Sequence, residues 1–446
     1  MALTRMRITT FVASLTIFAT GTAGLVQAVE TSALPPRPKP GPVFLPLQSS
    51  GLLTAAGLES KSKRFLADSR LGKDVSIFVI DASTGVTLVD HKSSLAMTPA
   101  STIKLVTAAA AVEKLGGATR FTTKVTRTGN VLTLVGGGDP TLTSQTASKW
   151  RGKPAGVERP PSLDELATAT AHALGTSTNK YVIDVDTSFF QGPVVAKSWP
   201  RSYVTSGYVA PVTGLTVDFG LTKNEQPLSD PAKFAGKYFV SALGKHGIQA
   251  SFGTIATSQP DAPTIAHIDS ATVTNIVERM LTTSNNTMAE YLAHHVGRAS
   301  GSSTFEGSAK AVTDVIAQLG IVHDGLVLHD GSGLSHDDKV STRTLVDVLY
   351  QSQHDTKQLW PVLSGLPIAG VSGTLAQRFT KHSTGRGYVQ AKTGTLSGIV
   401  ALAGTVVDKN GDLLIFAVIS NRVTDEYQAE PAVDSLLQAF AGCGCK

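Results

Sequence analysis

A serine and a lysine three positions apart, Ser101 and Lys104, stand near the start of the run Thr98-Pro99-Ala100-Ser101-Thr102-Ile103-Lys104-Leu105-Val106-Thr107-Ala108-Ala109-Ala110-Ala111-Val112. On a helix this spacing puts both side chains on one face, so an amine can reach a hydroxyl and activate it as a nucleophile. Thr98 reads as the helix cap and Pro99 as its first residue, and the Ala-rich apolar run that follows favours a buried helix. The first amides of a helix lack intrahelical partners and its dipole favours negative charge there, so the Ser101 amide is a candidate oxyanion donor. Ser-x-x-Lys recurs at Ser60/Lys63, in a charged run, and at Ser177/Lys180, among turn residues; only the copy at Ser101 lies on an apolar helix.

Two further stretches carry candidate chemistry. Ser284-Asn285-Asn286 precedes Thr287-Met288-Ala289-Glu290, which reads as a capping box opening a helix, so Ser284 and Asn286 are expected on a loop at a helix entrance. Ser177-Thr178-Asn179 has the same spacing as Ser284-x-Asn286, so the pattern alone is weak. Tyr388 to Thr395 alternates like a strand, which places Lys392 and Gly394 on one face and leaves open backbone beside a cation, where an extended substrate could lie.

These residues need a scaffold. At 446 residues the chain exceeds one ordinary core, and its formal charge of +5 is small for that length. No block of like charge or aromatic-basic interleaving points to nucleic acid. Arg5 and Arg7 ahead of the apolar run Ile8–Leu25, with Val26-Gln27-Ala28 after it, resemble a secretory signal peptide over 1–28; an uncleaved anchor is the alternative. A Pro-rich linker, 29–50, follows. Strands are expected at Asp74–Asp81, Val86–Asp90, Phe121–Thr128, Val131–Val135, Tyr181–Val185, Ile399–Val407 and Leu413–Ser420, the last two joined through Asn410-Gly411. Helices are expected at Leu163–Leu174 and Asp434–Phe440. The change of pattern after residue 118 suggests an inserted domain, 119–262, between two parts of one core, 51–118 and 263–446. Cys443 and Cys445 are open to internal pairing, pairing between chains or none, and the adjacent His294 and His295 sit in no metal-binding array. No metal or cofactor is expected.

Ser101-x-x-Lys104, Ser284-x-Asn286 and Lys392-Thr393-Gly394, in that order, make the chain similar to the active-site serine enzymes that include β-lactamases and penicillin-binding proteins. Gly137–Leu142, Asp330–Ser335 and Leu366–Leu375 narrow this to the class C, low-molecular-mass D-alanyl-D-alanine carboxypeptidase/endopeptidases of the penicillin-binding protein 4 type. Ser284 follows Ser101 by 183 positions, longer than compact β-lactamases use and shorter than in typical members of this group, whose insertion often has two subdomains. The resemblance implies an α+β fold: a serine β-lactamase/transpeptidase-like domain, an antiparallel sheet flanked by helices, with an inserted domain of mixed helix and strand. It implies Ser101 as nucleophile, Lys104 as its base, Ser284 as proton relay and Asn286 on the substrate amide. It places Lys392, Thr393, Gly394 and Thr395 around the terminal carboxylate, with the Ser101 and Thr395 amides as oxyanion hole. Peptidoglycan stem peptides are the implied substrate, β-lactams the implied inhibitors, and the location exported, with peripheral membrane or cell-wall association. A β-lactamase, or a non-catalytic cell-wall-binding protein, is the alternative.

Overall fold

The computed structural model describes residues 55–144, 158–355 and 358–445; the expected signal segment and linker lie outside them. In chain order the elements are α1 (Ala55–Leu66), β1 (Asp74–Asp81), β2 (Thr87–His91), a 3-10 turn (Ala100–Ile103), α2 (Lys104–Leu115), β3 (Thr122–Thr128) and β4 (Val131–Val135). Then come α3 (Leu163–Leu174), β5 (Lys180–Asp186), α4 (Arg201–Thr205), α5 (Pro231–Gly244), β6 (Gln249–Ile255) and β7 (Thr264–Asp269). The remainder is α6 (Val273–Thr283), α7 (Asn286–Ala299), α8 (Phe305–Gln318), α9 (Thr342–His354), α10 (Trp360–Ser364), β8 (Val389–Leu396), β9 (Ile399–Val407), β10 (Leu413–Asn421) and α11 (Glu426–Ala441).

The strands form two five-stranded sheets, ordered β2-β1-β10-β9-β8 and β6-β5-β4-β3-β7. The first is antiparallel throughout, with Asp74 opposite Asn421 and Lys392 opposite Ala403. β9 and β10 are apolar at nearly every position because both faces are covered, and period-two alternation sorts the side chains. Leu414, Phe416 and Val418 pack with α1 and α11, while Ile415, Ala417 and Ile419 join the core around α2, α6, α7 and α9. Burying a side chain of Phe416's size is worth about 2–3 kcal/mol. Every residue of α2 from Lys104 to Val112 is buried, so this helix runs through the middle of the helical layer.

The second sheet is mixed: β4-β5 and β5-β6 are parallel, and β3 is antiparallel to both β4 and β7. One face carries α3 and α5, whose Phe239 packs with Leu134, Ile183 and Val185 of the sheet. The insertion expected to end at 262 stops short of β7, which pairs with β3, so this sheet closes at Asp269. The segment around Phe190–Val212, expected to belong with this second body, instead packs its Phe190, Trp199, Val209 and Val212 against Tyr291 of α7, Phe305 of α8 and Leu334.

His294 and His295 serve packing. The His295 ring stacks on Phe121 at 3.5 Å, and its Nε2 hydrogen-bonds to the Gly138 carbonyl at 2.8 Å. Cys443 and Cys445 form a disulfide, with Cys445 against Gly57 of α1.

Candidate active site

The chain reaches Ser101 differently from expectation. Pro99 does not begin an α-helix: Ala100–Ile103 form a 3-10 turn, and the α-helix starts at Lys104. Thr98 does not cap it, because its hydroxyl donates to the His336 carbonyl at 3.1 Å and accepts from Lys339 Nζ at 2.8 Å. Ala100 takes a left-handed φ of 48°, a conformation costly for a residue with a Cβ. Two glycines clear the space around this turn. A Cβ on Gly333, itself at φ 81°, would lie 2.0 Å from the Ala100 carbonyl oxygen, and one on Gly394 would lie 2.7 Å from that of Pro99. Gly394 shares a strand face with Lys392 as expected, and that face meets the Ser101 turn.

The loop between α6 and α7 supplies the second group. Ser284 ends α6 in a left-handed conformation, φ 56°. The cap of α7 is Asn285, whose Oδ1 accepts from Met288 N at 2.8 Å, and not the expected Thr287–Glu290 box. Thr287 Oγ1 instead accepts from Ala210 N, and Glu290 turns inward, where both carboxylate oxygens accept from Gly331 N at 3.1 Å.

Ser101, Lys104, Ser284, Asn286 and Lys392 converge. Lys104 Nζ lies 2.8 Å from Ser101 Oγ, 2.7 Å from Asn286 Oδ1 and 2.6 Å from the Ser332 carbonyl oxygen. Lys392 Nζ lies 2.8 Å from Ser284 Oγ and 2.7 Å from the Thr393 carbonyl oxygen. Both amines are fully buried, whereas Ser101, Ser284 and Asn286 remain partly exposed. Two nucleophile-class hydroxyls thus each face an enclosed amine.

Thr393 and Thr395 are on the other face of β8. The Thr393 hydroxyl pairs with that of Thr374 at 2.8 Å, and the Thr395 hydroxyl donates to Glu430 Oε1 at 2.7 Å. The proton that Thr395 was expected to offer a substrate carboxylate is therefore committed to Glu430. Behind Glu430, Arg378 is held by Asp434.

Electrostatics favour a neutral base. Burial pushes Lys104 down to about 7, against the Asp330, Glu290 and Asp338 carboxylates, which pull it up. Burial, then the Lys104 and Arg378 cations, press Lys392 well below the usual lysine range. Glu290 is pushed up by burial and by the Asp330 charge, and Asp338 by the same two causes. A neutral amine has two N–H donors and one lone pair. With Asn286 Oδ1 and the Ser332 carbonyl taking the two donors of Lys104, the lone pair is left for the proton of Ser101.

The carboxylates behind Lys104 were not among the expected site residues. Asp330 accepts from Ser332 N, Gly333 N, Ser335 N and Trp199 Nε1. Asp-Gly-Ser-Gly at 330–333 is a turn signal, and Asp330–Ser335 carries part of the family resemblance, but neither indicates that Asp330 stands behind Lys104.

Comparison with known proteins places the chain in a family. The D-Ala-D-Ala carboxypeptidase 3 (S13) family matches residues 58–227 and 222–440. Carboxypeptidase DacB of Mycolicibacterium smegmatis is 33% identical over 93% of this chain and 91% of its own. A D-alanyl-D-alanine carboxypeptidase of an Actinomadura species is 29% identical over 80% of this chain and 79% of its own. Penicillin-binding protein 4 of Haemophilus influenzae, at 20% identity, shares the fold with a TM-score of 0.70, over 87% of this chain and 98% of that one. Since the match runs through both sheets and through all three motifs at once, the chain belongs to the S13 family of D-Ala-D-Ala carboxypeptidases.

Proposed function

We propose that this serine peptidase cleaves the D-alanyl-D-alanine end, or D-alanyl cross-links, of peptidoglycan stem peptides through an acyl-enzyme on Ser101, and that penicillin acylates the same residue. The observation that carries the reading is the amine of Lys104, 2.8 Å from Ser101 Oγ with its other hydrogen-bonding directions taken by Asn286 and Ser332. Lys104 takes the proton as Ser101 Oγ attacks the carbonyl carbon. Ser284, backed by Lys392, passes a proton to the departing D-alanine nitrogen. The Ser101 and Thr395 amides receive the oxyanion, where one donor is worth about 3 kcal/mol of transition-state stabilisation. Water then releases the acyl group. For Thr395 to hold the terminal carboxylate by its hydroxyl, it must let go of Glu430.

Export across the cytoplasmic membrane fits a substrate in the cell wall, and the signal-like residues 1–28 support it. No helix among the described residues is long and apolar enough to cross a membrane.

The test is intact-mass analysis after adding benzylpenicillin, with Ser101→Ala as control. A lasting adduct on Ser101, lost in the variant, is the expected result. No adduct with penicillin intact would refute the serine assignment, and no adduct with penicillin consumed would make the protein a β-lactamase.

A further inference from the structure

Two acceptors orient Lys104, and each is held by the same stretch of chain. Asn286 presents Oδ1 to Lys104 because its Nδ2 donates to the Tyr208 carbonyl at 2.9 Å. The Ser332 carbonyl is aimed by the Asp330 loop, in which Asp330 Oδ1 gathers Ser332 N and Gly333 N while Oδ2 takes Ser335 N at 2.7 Å and Trp199 Nε1 at 2.7 Å. Trp199 and Tyr208 flank α4, in the long connection between β5 and α5.

This stretch is seated firmly on the helical layer. Trp199 is 6% exposed and Asp330 3%, so their bond is shielded from water. The indole meets the Phe305 ring edge-on at 5.3 Å. Beyond Tyr208, Ala210 N donates to Thr287 Oγ1 at 3.0 Å, one residue from Asn286.

We infer that the segment from Trp199 to Ala210 is a positioning element for the catalytic base: by fixing Asn286 and the Ser332 carbonyl it leaves the Lys104 lone pair one direction, toward Ser101. The inserted part therefore bears on the site itself. The chain leaving β5 completes the geometry of proton transfer, with Trp199 acting through Asp330. A loosened acceptor lets the amine rotate away, which lowers the rate of the chemical step without changing how the ligand first binds. Misplacements of about 1 Å in such settings cost up to about 100-fold.

This inference rests on the serine reading above. The experiment follows benzylpenicillin acylation of the full chain over a range of concentrations, separating the acylation rate constant from the dissociation constant of the preceding complex. Trp199→Phe keeps the ring packing and removes the N–H; Thr287→Val loosens the other end of the segment at constant shape. Each is expected to slow acylation about tenfold, with the dissociation constant within twofold of wild type. In Asp330→Asn the side-chain amide would oppose the indole N–H, so adding Trp199→Phe is expected to cost nothing more. Wild-type rates in both folded single variants, losses that track melting temperature alone, or additive losses in the double variant would overturn the positioning role. A wild-type protein that is not acylated at Ser101 would bring down the serine reading first, and this inference with it.

Discussion

The pH dependence of Ser101 acylation follows from the state of Lys104. A lysine at its ordinary 10.5 would be neutral in only about one molecule in 3,000 at pH 7; with its pKa pushed down to about 7, about half the molecules carry the free amine. That difference is worth about 5 kcal/mol of ionisation free energy. Its source is burial, since Lys104 has no exposed surface, and it prevails over the opposing pull of Asp330, Glu290 and Asp338. The base is the deprotonated form, so the rate should fall about tenfold per pH unit below 7 and level off above about 8. The assay is the initial rate of benzylpenicillin adduct formation between pH 5.5 and 10, by intact mass at subsaturating ligand. Lys104→Arg, whose guanidinium does not give up its proton in this range, should lose the limb and about 100-fold or more in rate. A wild-type rate that is flat from pH 5.5 to 8.5, or one that keeps climbing toward pH 10, would refute the reasoning.

Gly394→Ala places a methyl group 2.7 Å from the Pro99 carbonyl and 3.2 Å from Thr102 N; we expect the Ser101 turn to shift and acylation to slow at least tenfold, read by the same mass assay, with a wild-type rate refuting the close approach. His294 is pushed down to about 4 by burial, so below pH 6.5 the unfolded chain binds a proton that the folded one refuses. Its contribution to stability is full above 6.5 and is lost as pH falls toward 4. Relative to wild type, His294→Phe should therefore gain about 2 kcal/mol on going from pH 7 to pH 5. Urea unfolding at the two pH values measures this, and a difference that does not change with pH would refute it.

Much of this molecule is readable where local chemistry decides. Leu163–Leu174 and the Ile399–Val407/Leu413 hairpin form at the expected places, because a capping box at Ser162 and the Asn410-Gly411 turn are encoded by neighbouring residues. The last helix starts eight residues before the expected Asp434, at Glu426, with Pro431 inside it. A proline reads as a break, yet the residue four positions earlier, Tyr427, is 87% exposed, so solvent can serve the backbone that Pro431 leaves unpaired. In the site, the Ser101, Ser284 and Lys392 motifs are legible because each is short and contiguous. The Asp330–Trp199 bond and the capture of Thr395 by Glu430 are not, since nothing in the spacing of those residues indicates that they meet.

The pairing of β1 with β10 sets an order of events during synthesis. Asp74 waits for Asn421, so the central pair of the first sheet is among the last contacts that a growing chain can make, whereas β3 to β7 close within one contiguous stretch. Folding is slow where such distant pairings dominate. Ser101 and Lys104 are made early and lie side by side in sequence, but the burial that strips the proton from Lys104 needs Asn286, Ser332 and the sheet that carries Lys392. Until those parts are in place, the Ser101–Lys104 pair lacks the enclosure that lowers the lysine's pKa. The working geometry around Ser101 therefore depends on strands made last.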